Sequence, residues 1–553
     1  MTPERHRKVK RIFQAAVDLE PGARRQFLER ACDGEPALLG RHTPTMPTSR
    51  KLCLIVVDSL RTDMLLRACA EDLAPNFAAL LDRGNLIGDC VSAFPSVTPV
   101  ACSEIATGSG PQHHHISGMN WYSRAERRYV EYGSSWEATR TFGLFRTLYD
   151  TVYNLNMAHL SYEVETIFER LGDARVRTAC TPFLIYRGRR RHELGLEGLM
   201  RRVAVAADFR HAVWGPDELF YGELYASRRV PCKPTLRPGT RDAYTACVGR
   251  ELIADDGYDF LLFSLPDNDH YTHTNGVEAM RNSIAHADHS FGELVDAGGG
   301  MDAFLESHAV ILMADHAQTD VDHEVPLAAA LGADWQVLAP NAERPELAEL
   351  AVSPTARAAA VYAVAESPRR EQILAGVRDR LRELEGVDLV TRLDEANGPA
   401  LEAIVERDGA ELRFQPGTQE TDLRGDGWDL DGDLAVLGLE PRDGRIASAD
   451  YPDGLARLWS TLNAPNAGDV VVSLETGYEC VDWGGTSHVG GGSHGALLAG
   501  DSLGPLLLCG LETGVGDTRE QWTLRDVDGL VCDHFGIGDG PEVRAADVAG
   551  AVR

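Results

Sequence analysis

The 553-residue sequence contains 84 acidic and 54 basic residues, which gives a formal net charge of -30. A chain this acidic is repelled by phosphate backbones, so duplex nucleic acid is excluded as an expected partner. The 44% hydrophobic and 25% charged residues are proportions typical of globular proteins. The length allows one large α/β domain with one or two smaller pieces.

The cysteines and the apolar runs predict the cellular setting. The 11 cysteines are odd in number and form no CxxC pair, which favours a reducing compartment over a disulfide framework. The first residues lack the apolar core of a signal peptide. No apolar run is long enough to span a bilayer, so we expect no membrane segment and a cytoplasmic location.

The first 45 residues differ from the rest of the chain. Apolar positions between residues 4 and 32 have helical spacing and are interrupted by Pro21-Gly22, which predicts two short amphipathic helices. These helices form a candidate extension for binding a protein partner. Alternatively, Met46 is the true start, since a plausible chain begins there. The sequence leaves both alternatives open.

Beyond residue 50, continuous apolar runs alternate with amphipathic stretches. The runs predict buried strands at residues 52–57, 179–186, 260–264, 309–313, 470–474 and 506–509. This alternation is typical of a doubly wound, mostly parallel α/β sheet. Residues 325–460 instead carry a strand pattern (358–364), a helix pattern (370–385) and polar hairpins. We therefore predict a core of residues 46–324 and 461–553, with a smaller inserted α+β cap.

Polar clusters follow several predicted strands, where open α/β sheets bind their ligands. Carboxylates and imidazoles at this density suit zinc or a similar divalent ion. An isolated Asp or His in such a place commonly caps a helix or faces solvent, but its recurrence after successive strands favours a site. The cluster members are Asp58, Thr98, Asp267, Asp269, His270, His273, Asp315, His316, His488 and His494.

Thr98 stands at a predicted helix start. Pro99 follows it and precedes a helical run, so Thr98 is expected as the N-cap and Pro99 as the first helical residue. The free N–H groups and the dipole of a helix start favour an anion. A hydroxyl held there beside a metal has the properties of an activated nucleophile, although an ordinary cap has the same local pattern.

These motifs in this order resemble the alkaline phosphatase superfamily, and within it the type I phosphodiesterase/nucleotide pyrophosphatase family. The resemblance covers about residues 51–510 and rests on the Asp after the first strand, FPSVTP with ATG, HHHISGMNWY, ADH, and SHG with a downstream PL. It implies two divalent ions, expected to be zinc. The implied ligands form two sets: Asp58, Thr98, Asp315 and His316; and Asp269, His273 and His494.

The same resemblance implies roles for other residues. The family pattern places a His four positions after an Asp, which Asp269 satisfies and Asp267 does not, because Tyr271 stands there. Asn120 is expected to bind a phosphoryl oxygen, although a turn residue would look the same. Sulfatases are disfavoured, because a Thr-Pro sequence stands in place of their Cys or Ser motif.

The implied activity is hydrolysis of a small phosphate ester through a phospho-threonine intermediate on Thr98. Arg187 and Arg189 match a basic pair that contacts the anionic groups of substrates in related monoesterases and phosphonoacetate hydrolases, although a solvent-facing basic loop looks similar. A phosphonoacetate-type C–P hydrolase is therefore one alternative. A catalytically inactive binding protein is another, from a different functional class.

Overall fold

The fold is known for most of the chain after residue 49 from a computed structural model. Residues 1–45, predicted to form a helical extension that binds a protein partner, lie outside the described part of the chain. The described residues are 50–195, 211–222, 224–233, 239–342, 344–364, 368–394, 401–511 and 519–538.

An eight-stranded sheet forms the core, in the order β2-β24-β11-β1-β10-β5-β8-β9. β1 pairs in parallel with β10 and β11, and β24 runs antiparallel between β11 and β2. The prediction of a mostly parallel α/β sheet is thus confirmed. Its strands are β1 (Lys51–Val57), β2 (Asn85–Val91), β5 (Thr178–Cys180), β8 (Glu218–Tyr221), β9 (Tyr225–Ala226), β10 (Phe260–Leu265), β11 (His308–Met313) and β24 (Leu503–Cys509).

Helices cover both faces of this sheet. Successive side chains of a strand point to opposite faces, so a continuously apolar strand has apolar side chains to bury on each face. Leu54 of β1 packs in one apolar core with Val100 of α3, whereas Ile55 packs in another with Ile284 of α10. The α-helices are α1 (Thr62–Ala70), α2 (Pro75–Leu81), α3 (Thr98–Thr107), α4 (Pro111–His114), α5 (Trp136–Phe142), α6 (Leu144–Tyr149), α7 (Ile167–Asp173), α8 (Arg241–Ala254), α9 (Asp267–Asn275), α10 (Met280–Ala297), α11 (Met301–Ser307), α12 (Leu327–Gly332), α13 (Arg369–Arg382), α14 (Gly454–Leu462), α15 (Ala499–Ser502) and α16 (Asp526–His534).

A second sheet of seven strands corresponds to the predicted cap and has the order β13-β14-β21-β15-β16-β17-β18. All of its pairings are antiparallel. Its interior strand β21 was expected in the core sheet. That prediction is wrong because an apolar run shows burial but not which sheet buries it. The strands are β13 (Leu350–Thr355), β14 (Ala358–Ala363), β15 (Val387–Asp394), β16 (Glu402–Arg407), β17 (Ala410–Thr421), β18 (Gly427–Gly432) and β21 (Val470–Leu474).

Four small sheets complete the described fold, one with three strands and three with two. The strand predicted at 179–186 ends early, since β5 stops at Cys180. The remaining strands are β3 (Asn120–Ser123) with β4 (Arg128–Glu131), β6 (Arg190–His192) with β7 (Val213–Gly215), β19 (Glu440–Arg442) with β20 (Arg445–Ala447), and β12 (Thr319–Val325) with β22 (Gly477–Cys480) and β23 (Gly492–Ser493).

A buried ion pair joins the cap sheet to the short helix α15, which directly precedes β24 of the core sheet. The guanidinium of Arg357, between β13 and β14, donates to Asp501 and Thr319, and both charged side chains are fully buried. The backbone N–H of Arg357 also donates to the carbonyl of His494, at 2.8 Å. The cap sheet is therefore bonded directly to the loop that carries a predicted metal ligand.

Two findings concern the predicted reducing compartment and the predicted absence of a membrane segment. Cys232 and Cys247, 15 residues apart, form a disulfide that the cysteine spacing did not predict, because they belong to no short motif. The expectation that cysteines remain unpaired is wrong for this pair. Among the described helices, none combines the length and the apolar character needed to cross a membrane.

Candidate metal centre

Three adjacent strands deliver most of the predicted ligands to one edge of the core sheet. Asp58 follows β1, Asp269 lies in α9 directly after β10, and Asp315 and His316 follow β11. β1 lies between β10 and β11, and all three run parallel. Their carboxyl ends therefore meet, and the side chains that follow them converge.

The first group surrounds the imidazole of His316. Its Nε2 lies 3.2 Å from Oγ1 of Thr98, 3.7 Å from an oxygen of Asp58 and 3.5 Å from an oxygen of Asp315. The ligand atoms of Asp58, Asp315 and His316 all lie within 4.8 Å of one another. Spacing of this kind allows one cation to contact them all.

The second group surrounds the carboxylate of Asp269. Its Oδ1 lies 3.3 Å from Nε2 of His273 and 3.5 Å from Nε2 of His494. Ligand atoms of Asp269, His494 and His316 also lie within 4.8 Å of one another. His316 and His494 stack with ring centroids 3.9 Å apart, so the two groups are contiguous.

Backbone carbonyls fix the orientation of two of these histidines. Nδ1 of His273 lies 2.7 Å from the carbonyl of Gly492, and Nδ1 of His494 lies 2.8 Å from that of Ser96. A carbonyl only accepts, so each Nδ1 carries a proton and each Nε2 is left to bind a second proton or a metal ion. Metal-ligating histidines in proteins are held in this way.

Negative charge is concentrated in the centre. Burial raises the pKa of Asp58 well above its usual value, and the carboxylates of Asp315 and Asp269 raise it further. Burial likewise raises the pKa of Asp315 to about 7. Oδ1 of Asp58 is buried and has no hydrogen-bond partner among the described residues. Crowded carboxylates and an unpartnered oxygen are the arrangement that a bound cation would stabilise.

Asp269 behaves differently because histidines surround it. Burial opposes its ionisation, yet His273, His494 and His316 lower its pKa well below the usual value. The carboxylate of Asp267 instead accepts from the backbone N–H groups of Gly239 and Asp242, at 2.9 and 3.0 Å. The structure thus brings Asp269 into the cluster and gives Asp267 a structural role.

The glycine-rich loop before His494 packs closely around the centre. A Cβ at Gly491 would lie 1.9 Å from the carbonyl oxygen of His273. Gly495 has φ +120°, and a Cβ there would lie 2.8 Å from the carbonyl oxygen of Thr355. Only glycine fits these positions without displacing backbone.

Thr98 is the first residue of α3, with Val97 in the capping position. The sequence expectation, which made Thr98 the cap and Pro99 the first helical residue, is displaced by one position. This is the usual ambiguity of a helix end. The hydroxyl still lies at the helix start and 3.2 Å from Nε2 of His316.

A family model described as type I phosphodiesterase/nucleotide pyrophosphatase matches residues 52–496. The chain belongs to this family. Its members are hydrolases that act on phosphate esters, and the matched range includes every predicted metal ligand. A comparison with the curated proteins finds no match.

Solved structures of other proteins have a fold similar to that of this chain. The murine ectonucleotide pyrophosphatase/phosphodiesterase 5 has a TM-score of 0.51 at 12% identity and covers 90% of this chain and 99% of that chain. The human protein has a TM-score of 0.52 at 14% identity, covering 90% and 97%. Phosphonoacetate hydrolase from Sinorhizobium meliloti 1021, in complex with phosphonoformate, has 0.50 at 14%, covering 88% and 97%.

The predicted substrate arginines are held by other protein groups. Arg187, whose side chain is 2% exposed, bonds Glu169 and the carbonyls of Leu160, Ser161 and Val164. Arg189 pairs with acidic residues on and before α7. Substrate contact by either arginine stays a prediction and would require these bonds to break.

Asn120 opens β3 and is buried. Its Nδ2 donates to the carbonyl of Pro354, while its Oδ1 has no hydrogen-bond partner in the described part of the chain. Its predicted contact with a phosphoryl oxygen stays a prediction. The neighbouring Thr355 packs against Gly495, so Asn120 is linked to the metal centre through the cap sheet.

Sequence reasoning missed two residues that bridge the ligand groups. Oγ of Ser59 donates to Asp269 at 2.8 Å and lies 3.1 Å from Nδ1 of His316. Gln318 donates from Nε2 to Asp269 at 2.6 Å and to Ser59 at 3.0 Å. Ser59 has φ 61°, a conformation uncommon outside glycine. Its position directly after Asp58 was the one available signal.

Proposed function

We propose that this protein hydrolyses phosphate esters at a two-metal centre, with Thr98 as the nucleophile. The observation that carries the proposal is the convergence of carboxylates and imidazoles on His316, whose Nε2 lies 3.2 Å from the Thr98 hydroxyl. Asp58, Thr98, Asp315 and His316 would hold one ion. Asp269, His273 and His494 would hold the other.

The donor set fits zinc. It combines imidazole nitrogens with carboxylate oxygens, which zinc prefers, and contains no cysteine among the proposed ligands. The buried, unpartnered oxygen of Asp58 is an independent sign that the centre is completed by a cation. Bound divalent ions would lower the pKa of the Thr98 hydroxyl and offset the negative charge that develops on the phosphoryl group.

Thr98 would carry the phosphoryl group between two displacements. Its Oγ1 forms a bond to phosphorus while the bond to the leaving alcohol breaks, and the alcohol departs with a proton. Water then attacks the phospho-threonine and releases phosphate or a phosphomonoester. Thr98 is the first residue of α3, and the positive end of the helix dipole there would favour the anionic intermediate. An inactive threonine-to-alanine variant of the murine neighbour was solved with AMP, which supports a threonine in this role.

A phosphonoacetate-type C–P hydrolase is the second candidate. The observation in its favour is that the phosphonoacetate hydrolase structure matches the fold about as well as the ectonucleotide pyrophosphatase/phosphodiesterases do. Both activities would use the same metal centre and differ in the bond that breaks. Substrate turnover therefore separates them.

The deciding experiment compares the zinc-loaded wild type with Thr98→Ala on three substrates. These are a nitrophenyl phosphate monoester, a nitrophenyl phosphodiester and phosphonoacetate. We expect turnover of at least one substrate and its loss in Thr98→Ala, because alanine lacks the Oγ1 that would form the bond to phosphorus. The substrate with the highest kcat/KM assigns the activity within the family.

Controls separate catalysis from folding and metal loading. Thr141→Ala removes a helix hydroxyl that bonds the carbonyl of Glu137, and it should leave turnover unchanged. Metal content by mass spectrometry should be about two ions per chain in the wild type, as two-metal sites require. Equal activity of wild type and Thr98→Ala would refute the nucleophile. A wild type that binds no metal and turns over none of the substrates would refute the proposed function.

A further inference from the structure

Arg241 is a half-exposed cation beside the metal centre. It is the first residue of α8, and its side chain is 36% exposed. Nε donates to Asp267 at 2.9 Å and Nη2 donates to the carbonyl of Pro266 at 2.9 Å. These two nitrogens form one edge of the guanidinium. Within the described part of the chain, Nη1 makes no hydrogen bond, so the opposite edge remains available.

The sheet register places this guanidinium next to Asp58. Leu265 of β10 pairs with Val57 of β1, and the N–H of Asp58 donates to the carbonyl of Leu265 at 3.1 Å. Pro266, which Arg241 bonds, is the next residue after Leu265. Arg241 therefore bonds the residue that follows the backbone partner of Asp58.

The segment that Arg241 bonds also holds Asp58. Nδ2 of Asn268, near the start of α9, donates to the carbonyl of Asp58 at 2.7 Å. Arg241 and Asp58 are therefore both bonded to residues 265–268, where β10 ends and α9 begins.

The protein itself holds Arg241 in place. Asp267 accepts not only from Arg241 but also from the backbone N–H groups of Gly239 and Asp242, at 2.9 and 3.0 Å. The guanidinium is thus oriented before any ligand arrives. A guanidinium held along one edge can present its other edge to a planar carboxylate or to two phosphate oxygens. Arg187, by contrast, is enclosed by protein acceptors.

We propose that Arg241 binds a second anionic group of the substrate, a carboxylate or a phosphate, next to the phosphoryl group that reacts. The inference rests on the proposed function and narrows its substrate class to compounds with two anionic groups. Simple alkyl or aryl esters would lack this contact.

The test measures binding in the Thr98→Ala background, where turnover does not interfere. Zinc-loaded protein is titrated calorimetrically with three probes. Phosphonoacetate carries a phosphonate and a carboxylate, pyrophosphate carries two phosphates, and methylphosphonate carries a single anionic group. Comparison of the first two identifies the source of the second anion.

Arg241→Gln should weaken phosphonoacetate, pyrophosphate or both by roughly 10- to 100-fold, as expected for loss of a charge-assisted hydrogen-bonded contact. Methylphosphonate affinity should change less than about twofold, since an uninvolved residue contributes little. Arg241→Lys keeps the positive charge beside Asp267 but loses the planar pair of N–H donors. Its affinity for the two-anion probes should therefore lie between those of Arg241→Gln and the parent protein. Arg250→Gln, which removes an exposed arginine of the same helix, is the matched control.

The possible failures are distinguishable. Unchanged affinity for both two-anion probes in Arg241→Gln would overturn the inference about Arg241 alone. Equal weakening of all three probes would also overturn it, because Arg241 would then act on the metal centre in general. Failure of methylphosphonate to bind any variant would overturn the proposed function and this inference with it.

Discussion

The helix that begins at Thr98 contains a buried carboxyl group with a predictable effect on stability. Glu104 is 4% exposed, and burial raises its pKa from 4.5 to about 7. Arg525 and Arg457 lower the pKa but do not outweigh burial. The folded protein therefore holds a proton on Glu104 between about pH 4.5 and 7, a range in which the unfolded chain has released it.

The sign and size of the effect follow from linkage. Where the folded state binds more protons than the unfolded state, the free energy of unfolding falls as pH rises. A pKa difference of about 2.5 corresponds to about 3 kcal/mol when both states are fully titrated, of which about 2 to 3 kcal/mol is lost between pH 5 and 8. Glu104→Gln cannot ionise and should not show this loss.

The assay unfolds wild type and Glu104→Gln in urea at pH 5 and at pH 8, with tryptophan fluorescence as the signal of unfolding. The stability of the variant relative to wild type should rise by about 2 to 3 kcal/mol between the two pH values. Glu306→Gln changes an exposed glutamate at the end of α11 and serves as the control, with no such rise expected. Parallel pH profiles for wild type and Glu104→Gln would refute the reasoning.

Further predictions concern the groups around the metal centre. Arg357→Met should destabilise the protein by about 3 to 5 kcal/mol in urea unfolding, because it leaves the carboxylate of Asp501 buried and unpaired. Replacing both residues, as Arg357→Met with Asp501→Leu, should recover part of the loss, and no recovery would contradict the ion-pair explanation. Asp315→Asn should raise the melting temperature of chelator-treated protein, because it removes one of three crowded carboxylates. It should also abolish the rise that zinc produces in wild type. A lower melting temperature in chelator would argue against that crowding. Glu479→Gln should speed hydrogen exchange in residues 484–491, because the carboxylate of Glu479 bonds both the ring and the backbone N–H of His488. Unchanged exchange would contradict this anchoring.

Much of the core sheet could be predicted because its signal is local. The runs that became β1, β10 and β11 are continuously apolar, as expected of strands buried on both faces. The polar residues directly after them could be assigned to one site because parallel strands end at the same edge. The four-residue spacing of Asp269 and His273 selected the carboxylate that lies in the cluster, because it places both side chains on one face of α9.

Other features depend on long-range contacts and left no local signal. β21 is as apolar as a core strand, and only its pairing with β14 and β15 assigns it to the cap sheet. Arg187 and Arg189 have the spacing of a substrate-binding pair, yet their partners lie on and before α7. Arg241 looks like an ordinary helix-start residue, and its position beside Asp58 follows from the strand register.

The position of β21 also has a consequence for how the chain acquires its structure. β21 lies between β14 and β15, but it is synthesised after every other strand of that sheet. The β13–β14 hairpin and the β15–β18 meander can form early from local contacts, whereas their union must wait until residue 474 has emerged. An interior strand that is synthesised last must pair with strands far away in the sequence, and such contacts form slowly. During translation, the cap therefore passes through a stage with two exposed strand edges, and the loop that carries His494 is completed later still.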